Sequence, residues 1–354
     1  MSLRSWPASP RYSDGGRRGG RVMSVFFALF LKMFAAAVLL PLAALGALIS
    51  DGAVRGLAAR ILGEPSPSPL QPVHDVLKLS FKESIEPRGS AGPLFRAAPW
   101  LSLALVLMVF LYIPAGRFPA VLGGEGDVIL IFFLLVASSS FRVLGGTASA
   151  NSLAVLGAGR ETALMMAWGV PFSLVVGALA WLAWRTGMPG VPMGIEVFVA
   201  KSVWSVVGGA GVLGLTALMF ALAAILPAVS GEGPMQISES EDILSGLSVE
   251  YSGIDLAFLE IAGSLRAFAV SALFVSFFLP ISASGPFGRG GFFVATLEFP
   301  LFWTKVFLVR TTIGSASRVL FTRLSPGGAV RFCLGGALGL SLVGALLLSV
   351  DLLL

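Results

Sequence analysis

Eight long stretches of the chain are almost entirely apolar. They fall near residues 24–49, 98–116, 126–145, 162–184, 199–228, 254–281, 291–312 and 329–354. A helix needs about 20 mainly apolar residues to cross a bilayer. None of the stretches alternates polar and apolar residues as a strand of a membrane barrel would. The pattern therefore predicts an all-α integral membrane protein, a bundle of about eight transmembrane helices that forms a single polytopic domain over residues 23–354.

The first long polar connection contains a further helical pattern. Between Pro72 and Pro87, apolar residues recur at every fourth position, while charged residues line the opposite side. The apolar positions are Val73, Leu77, Phe81 and Ile85. A helix with one wet and one apolar face typically lies along a membrane surface. We therefore expect an amphipathic interfacial helix in this first cytoplasmic loop.

The loops differ in charge, which predicts an orientation. Basic residues are concentrated in the loops at 51–97, 142–161 and 313–328, on the same side as the loop at 228–253. Cytoplasmic loops carry an excess of lysine and arginine, so this side should face the cytoplasm. The five arginines of residues 1–22 contradict that orientation. We expect this segment to be a disordered or mis-started tail, with Met23 as the natural first residue.

Composition narrows the class of protein further. Hydrophobic residues make up 56% of the 354 positions and charged residues only 12%, against about 25% charged residues in soluble domains. A single cysteine, Cys333, and a single histidine, His74, cannot by themselves hold an iron–sulfur cluster, haem or nickel. The net charge of +5 comes from basic residues beside a bilayer, so no nucleic-acid partner is expected.

Several ionisable residues fall inside predicted spans, among them Lys32, Glu260, Arg266, Glu298 and Lys305. Each costs roughly 2.5–3.5 kcal/mol near the bilayer centre, so most should face the bundle interior or a wet cavity, whereas Lys32 should extend toward a helix end. Glu298 and Lys305 share one helix face, about 10 Å apart. Glu260 and Arg266 point in different directions, so each needs a partner on another helix.

Residues 233–253 read GPMQISESEDILSGLSVEYSG and contain no lysine, arginine or histidine. The acids of this loop are Glu239, Glu241, Asp242 and Glu250. Clustered carboxylates near a medium of low dielectric repel one another, so at least one should hold a proton more tightly than usual. These four acids, with Glu260, Arg266, Glu298 and Lys305, are our candidate path for ions.

Several short strings resemble a known family. They are QPVHDVLKL with Gln71, Pro72, Asp75 and Lys78; LGAGRE with Gly157 and Arg160; EYSG at 250–253; and VRTT with Arg310. From about residue 24 to 354, the chain resembles a membrane protein shared by two kinds of complex. One is respiratory complex I, in which it is the H subunit of the bacterial enzyme. The other kind comprises the energy-converting membrane-bound NiFe hydrogenases, including formate hydrogenlyase.

Details of the strings favour the hydrogenase branch of this family. In PMQISESE, Gln236 stands where complex I subunits typically have an aspartate, which puts quinone chemistry in doubt. Glu161 directly follows Arg160, and Glu260 and Arg266 follow EYSG, as in the hydrogenase branch. The complex I quinone-site subunit of an NADH:quinone oxidoreductase stays open as the alternative.

The resemblance implies a membrane anchor and coupling subunit that is not catalytic alone. Its expected partners are hydrogenase-like large and small soluble subunits and antiporter-like membrane subunits, in the cell membrane of a prokaryote. The NiFe centre and iron–sulfur clusters would lie in those partners, with none bound by this chain. Residues expected to dock the soluble arm are Asp75, Lys78, Glu83, Arg160, Glu161 and Arg310.

A function of another class is a stand-alone secondary ion transporter. Such transporters commonly contain internal repeats and paired broken helices. We find no repeat in this sequence, which favours a component of a larger complex. The sequence leaves open whether the transported ion is H⁺ or Na⁺.

Overall fold

The computed structural model describes residues 15–116, 118–124, 126–188, 190–238, 246–279 and 292–353, except for the side chains of 15–25, 28 and 292–296. This part of the chain is helical, with one isolated bridge between Ala115 and Phe118. The predicted all-α class is confirmed.

Ten helices are described and are numbered here in chain order. They are α1 (Gly15–Leu62), α2 (Gln71–Ser80), α3 (Gly92–Tyr112), α4 (Val128–Ala148), α5 (Ser152–Arg185), α6 (Ile195–Ala200), α7 (Gly209–Ser230), α8 (Gly253–Phe278), α9 (Phe292–Leu320) and α10 (Pro326–Leu353). In the described chain, α1 from Leu29 onward, α3, α4, α5, α7, α8 and α10 are long and apolar enough to cross a membrane. Helix α9 occupies the seventh predicted span, at 291–312, and it carries Glu298, Lys305 and Arg310.

Several boundaries differ from the predicted ones: α1, for example, continues to Leu62, beyond the predicted end at 49. The span predicted at 199–228 begins only at Gly209, because the preceding residues form the short helix α6 and a 3₁₀ turn at Val203–Ser205. The interfacial helix predicted between Pro72 and Pro87 ends at Ser80. After Ser80 the chain runs without regular structure, since its backbone is held by the turn before α8.

Helix α8 lies at the centre of the bundle. Every residue from Ser264 to Phe278 is buried, and α8 packs against α1, α2, α3, α7 and α9. Because α8 has no face turned to the surroundings over this stretch, its polar residues must find partners on neighbouring helices.

Small residues let other helices approach closely. Helices α7 and α10 cross where Gly214 meets Gly344: a Cβ added at Gly214 would lie 2.8 Å from the Gly344 carbonyl oxygen and 2.8 Å from the Leu348 nitrogen. Helices α3 and α4 are joined by Ser102 and Ser138, whose hydroxyls donate to each other's backbone carbonyls at 2.9 and 2.8 Å. Such contacts are common between helices in membranes.

Helix ends are set by local hydrogen bonds. Asp127 and Asn151 accept from the backbone N–H groups of Leu130 and Leu153 at the starts of α4 and α5, as helix N-caps do. Helix α7 ends at Gly231, whose φ of 66° is the left-handed conformation common after helix ends. Within α10, residues Phe332–Ala337 form a π-helical stretch.

Candidate functional site

A cluster of two carboxylates and three arginines joins α1, α9 and the turn after α7. Asp51 and Arg55 lie on α1, Glu232 in the turn, and Arg310 and Arg318 on α9. Arg55 donates to Asp51 at 2.7 Å, and Arg310 donates to Glu232. Arg310 also lies 3.7 Å from Asp51, and Arg318 lies 3.9 Å from Asp51 and 3.8 Å from Glu232. We call these five residues the carboxylate–arginine cluster.

The centre of this cluster is shielded from the surroundings. Asp51 and Arg310 are 3% and 1% exposed. A buried charge is tolerated only when it is paired, and removing one member of a buried pair leaves the other without compensation. Asp51 lies between arginines of two helices, so the cluster behaves as one unit rather than as separate pairs.

The turn that carries Glu232 depends on two glycines. Gly231 and Gly233 have φ values of 66° and 58°, which side chains rarely adopt. A Cβ at Gly233 would also lie 3.1 Å from Cγ of Arg318. Burial of Glu232 opposes its ionisation, but attraction to Arg310 and Arg318 outweighs burial and holds the pKa of Glu232 below its ordinary value.

A second buried group of charges surrounds Arg266, at the centre of α8. Arg266 is fully buried; it donates to the hydroxyl of Ser139 on α4, and its guanidinium lies 4.0 Å from Oε1 of Glu161 on α5. Oε2 of Glu161 has no hydrogen-bond partner among the described residues. Arg142, also buried, lies three residues beyond Ser139 on α4. The prediction that Arg266 needs partners from other helices agrees with these contacts.

The glycine turn brings the two groups together. A Cβ at Gly231 would lie 4.0 Å from Oε2 of Glu161, and Glu232 is the next residue. At the other end, Glu260 is close enough to Arg55 to interact electrostatically. The two groups therefore lie beside the same glycine turn, and we call their ionisable side chains together the charged row. Its members are Glu260, Arg55, Asp51, Arg318, Arg310, Glu232, Glu161 and Arg266.

The EYSG string fastens the loop before α8 to three other parts of the chain. Glu250 accepts a hydrogen bond from Asn151, the residue that caps α5. Tyr251 stacks on Phe95 with ring centroids 4.2 Å apart and donates to its carbonyl at 3.0 Å. Burial raises the pKa of Tyr251, and the charge of Asp255 adds to this rise.

The last two residues of EYSG hold the first loop. The Ser252 hydroxyl accepts from the backbone N–H of Ile85 at 2.8 Å. Gly253 has a φ of 59°, and a Cβ there would lie 2.7 Å from the carbonyl oxygens of Lys82 and Glu83. A residue with a side chain would fit at position 253 only if the loop moved, which is the physical reason for a glycine there.

The acidic loop is anchored at both of its ends. Gly157 of α5 leaves room for the Ser238 carbonyl and the Leu247 nitrogen, which would lie 2.9 and 3.0 Å from an added Cβ. Leu247 also packs against Gly146 of α4. The predicted path residues Glu239, Glu241 and Asp242 lie outside the described residues.

Of the other predicted path residues, Glu260 departs from the interior position that was expected for it. Glu260 is exposed at the edge of α8 rather than facing the bundle interior, because its side of the helix is not covered. Glu298 is buried against Gly116, at the opposite end of the bundle from the acidic loop. Lys305 donates to the Leu279 carbonyl at the end of α8, at 3.0 Å. Glu298 and Lys305 are therefore remote from the acidic loop. Lys32 is exposed on α1.

The predicted docking residues divide into two groups. Lys78 and Glu83 are exposed, and Asp75 and Arg160 are partly exposed, at the same end as the acidic loop. Glu161 and Arg310 are 5% and 1% exposed, so they cannot form a docking surface. This corrects the prediction: both belong to the charged row, because each pairs with a charge on another element.

Sequence reasoning missed Asp51 and Glu232. Asp51 lies just beyond the end of the predicted first span, and Glu232 lies between two glycines in the residues SGEGP. Arg55 and Arg318 were counted only among the basic loop residues that predict the orientation of the chain in the membrane. An acid flanked by glycines next to a span is the signal that would have pointed to Glu232, since such a turn can bring backbone close to a neighbouring helix.

No group of three or more potential metal-ligating side chains is present in the described part of the chain.

A sequence model described as NADH dehydrogenase matches residues 32–349. The H subunit of the NADH-quinone oxidoreductase of Geobacillus kaustophilus is 31% identical over 79% of this chain and 80% of its own. The NADH-quinone oxidoreductase H subunit 2 of Rhizobium etli is 30% identical over 73% of this chain and 77% of its own.

A solved structure is similar in fold. It is a chain of the membrane-bound sulfane sulfur reductase, an archaeal respiratory membrane complex, with a TM-score of 0.74 and 24% sequence identity. The match covers 90% of this chain and 98% of that chain.

Proposed function

The chain belongs to the NADH dehydrogenase family, and we propose that it is the membrane anchor and coupling subunit of an energy-converting oxidoreductase complex. In this proposal, electron transfer in a docked soluble arm drives H⁺ or Na⁺ movement through the membrane part. The chain itself carries out no turnover. Its partners would include soluble redox subunits and antiporter-like membrane subunits in a prokaryotic cell membrane.

The charged row is the observation that carries this proposal. It comprises one group of ion pairs on α1, α9 and the turn after α7, and a second pair between α5 and α8, with paired atoms no more than 4.0 Å apart. In a buried cluster, a change of charge on one member alters the energy of all the others. Protonation of one acid would therefore favour a new arrangement of arginines several ångströms away, which is the property that a coupling element needs.

We propose that movement of the acidic loop is transmitted to the charged row. One end of the loop follows the Glu232 turn, and the other end is EYSG, which contacts α3, α5 and the first loop. A partner that displaces the loop would act on Glu232 through the glycine turn. In this proposal Glu239, Glu241, Asp242 and Glu250 sense the redox event, and the charged row passes the change on.

Within the family, we propose the membrane-bound NiFe hydrogenase or formate hydrogenlyase branch, on the strings around Glu161, Gln236 and Arg266. The NiFe centre and iron–sulfur clusters would then belong to the soluble partners. The alternative is the quinone-site subunit of an NADH:quinone oxidoreductase. The two bacterial relatives, both named as components of NADH-quinone oxidoreductase, fit that alternative equally well.

Purification of the intact complex separates these branches. Copurified subunits with stoichiometric nickel and hydrogen-dependent electron transfer would support the hydrogenase branch. NADH-dependent quinone reduction without nickel would support the alternative. Purification of the chain alone, with transport activity and no redox partner, would contradict both and favour a transporter.

Coupling is tested in vesicles that contain the purified complex. Glu232→Gln, Glu239→Gln and Glu241→Gln should each lower the number of ions moved per electron several-fold while the subunits still copurify. Glu64→Gln, at an exposed position, is the matched control. An unchanged ion-to-electron ratio in all three variants would remove these acids from the coupling path.

Docking is tested separately. Asp75→Asn and Arg160→Ala should weaken retention of the soluble arm during purification, because both residues are partly exposed at the same end of the bundle as the acidic loop. Arg185→Ala, at the far end of α5, is the control. Full retention of the arm in both variants would contradict a docking role.

A further inference from the structure

An apolar cavity of about 390 Å³ lies between α1, α8 and α9. Its wall includes Leu42 and Gly46 of α1, Phe268 of α8, and Trp303, Thr304 and Phe307 of α9. Gly46 faces the ring of Phe268, which would lie in van der Waals contact, 3.5 Å from an added Cβ. The volume falls within the range of small-ligand sites, about 300–1,000 Å³.

The wall favours hydrocarbon over a polar group. Thr304 uses its hydroxyl within α9, donating to the Pro300 carbonyl at 2.8 Å. The indole of Trp303 stacks on Phe268 with centroids 5.5 Å apart, and its N–H has no acceptor among the described residues. Neither group carries a charge, so a charged headgroup would lose its hydration here without gaining a counter-charge.

The cavity is continuous with the lipid-facing surface of the bundle. Leu42 on its rim is 51% exposed, and Leu45, Leu301 and Leu308 beside it are exposed as well. These residues lie on helices that span the membrane, so hydrocarbon chains surround the rim. A space left empty there would forfeit dispersion contacts along its whole wall.

We propose that this cavity binds one acyl chain of a membrane phospholipid. The chain enters between α1 and α9 and lies against the stacked rings of Phe268 and Trp303. The headgroup stays at the bilayer surface, so the site selects for a hydrocarbon chain and not for headgroup chemistry. This inference does not rest on the proposed function.

The test uses the full chain in its complex, placed in vesicles of phosphatidylethanolamine and phosphatidylglycerol without quinone. A small fraction of a phospholipid with a photoreactive diazirine acyl chain is added. After illumination, mass spectrometry should locate adducts preferentially on Leu42, Trp303 and Phe307. Adducts distributed evenly over exposed residues such as Leu342 and Leu346 of α10 would overturn the proposal.

Two variants sharpen the result. Gly46→Leu fills the cavity and should lower its adducts several-fold. Gly177→Leu, on an exposed face of α5 with open space around it, should leave them unchanged. Unchanged adducts in Gly46→Leu would contradict the proposal.

Extraction of lipids from the wild-type complex gives a measurement that needs no variant. One retained phospholipid per chain is expected, and retention of an isoprenoid lipid in its place would overturn the assignment.

Discussion

Arg310 of α9 and Glu232 of the turn after α7 form a hydrogen-bonded ion pair in which Arg310 is buried and Glu232 is half-buried. Arg310→Ala would leave Glu232 and Asp51 with only the longer contacts to Arg318 and the Arg55 pair. Breaking a buried pair in this way costs about 3–5 kcal/mol. We therefore expect a large fall in the thermal unfolding midpoint of the purified chain or complex.

Arg88→Ala provides the control for that measurement, because Arg88 is an exposed arginine of the first loop. It should change the midpoint little. If Arg310→Ala and Arg88→Ala have the same small effect, the cluster does not stabilise the bundle.

Stability should depend on pH through Glu232. Its pKa in the folded protein lies below the ordinary value of 4.5, after the opposing effect of burial, because Arg310 and Arg318 favour the charged form. The stabilisation is therefore fully present above pH 4.5 and is lost as pH falls through the lower, folded pKa. The difference in unfolding midpoint between wild type and Glu232→Gln should be constant at neutral pH and shrink in acid. A difference that grows on acidification would contradict the ion pair.

Substitutions at Tyr251 and Gly145 should have coupled, non-additive effects on the free energy of unfolding. Tyr251→Phe keeps the ring on Phe95 but removes the hydrogen bond to its carbonyl, at a cost of about 1 kcal/mol. Gly145→Ala places a Cβ 2.3 Å from the Tyr251 hydroxyl oxygen and 2.9 Å from Ala98 Cβ, so it should destabilise more. In the Tyr251→Phe background, part of the Gly145→Ala effect should disappear. Simple additivity in the double mutant would show that the two residues do not meet.

The crossing of α7 and α10 should not tolerate a side chain at Gly214. Gly214→Ala forces backbone apart at Gly344 and Leu348, and overpacking of this kind costs about 1–3 kcal/mol. Gly339→Ala is the matched control on α10, since nothing lies within 4 Å of its added Cβ. Equal unfolding midpoints for the two variants would contradict the close crossing.

The spans could be predicted because a bilayer demands long apolar helices, and that demand is visible in single stretches of sequence. The partners of Arg266 could not, because Glu161 and Ser139 are 105 and 127 positions away in the chain and only packing brings them together. Burial likewise cannot be inferred from charge: Arg310 was expected at a surface, yet its partners Asp51 and Glu232 come from two other elements and hold it inside. For Glu260 the error is the opposite one: its place in an apolar stretch predicted a buried side chain, but the side chain is exposed.

The π-helical stretch Phe332–Ala337 in α10 has a consequence for comparing this chain with its relatives. Each hydrogen-bonded turn there encloses one residue more than a turn of α-helix. A relative that lacks one residue at Gly335 or Gly336 would wind the same segment as a regular helix and still direct Ser341, Gly344 and Leu348 toward the bundle. Alignments should therefore accept a one-residue gap at this place, and a deletion of Gly335 should be tolerated far better than a deletion one turn later.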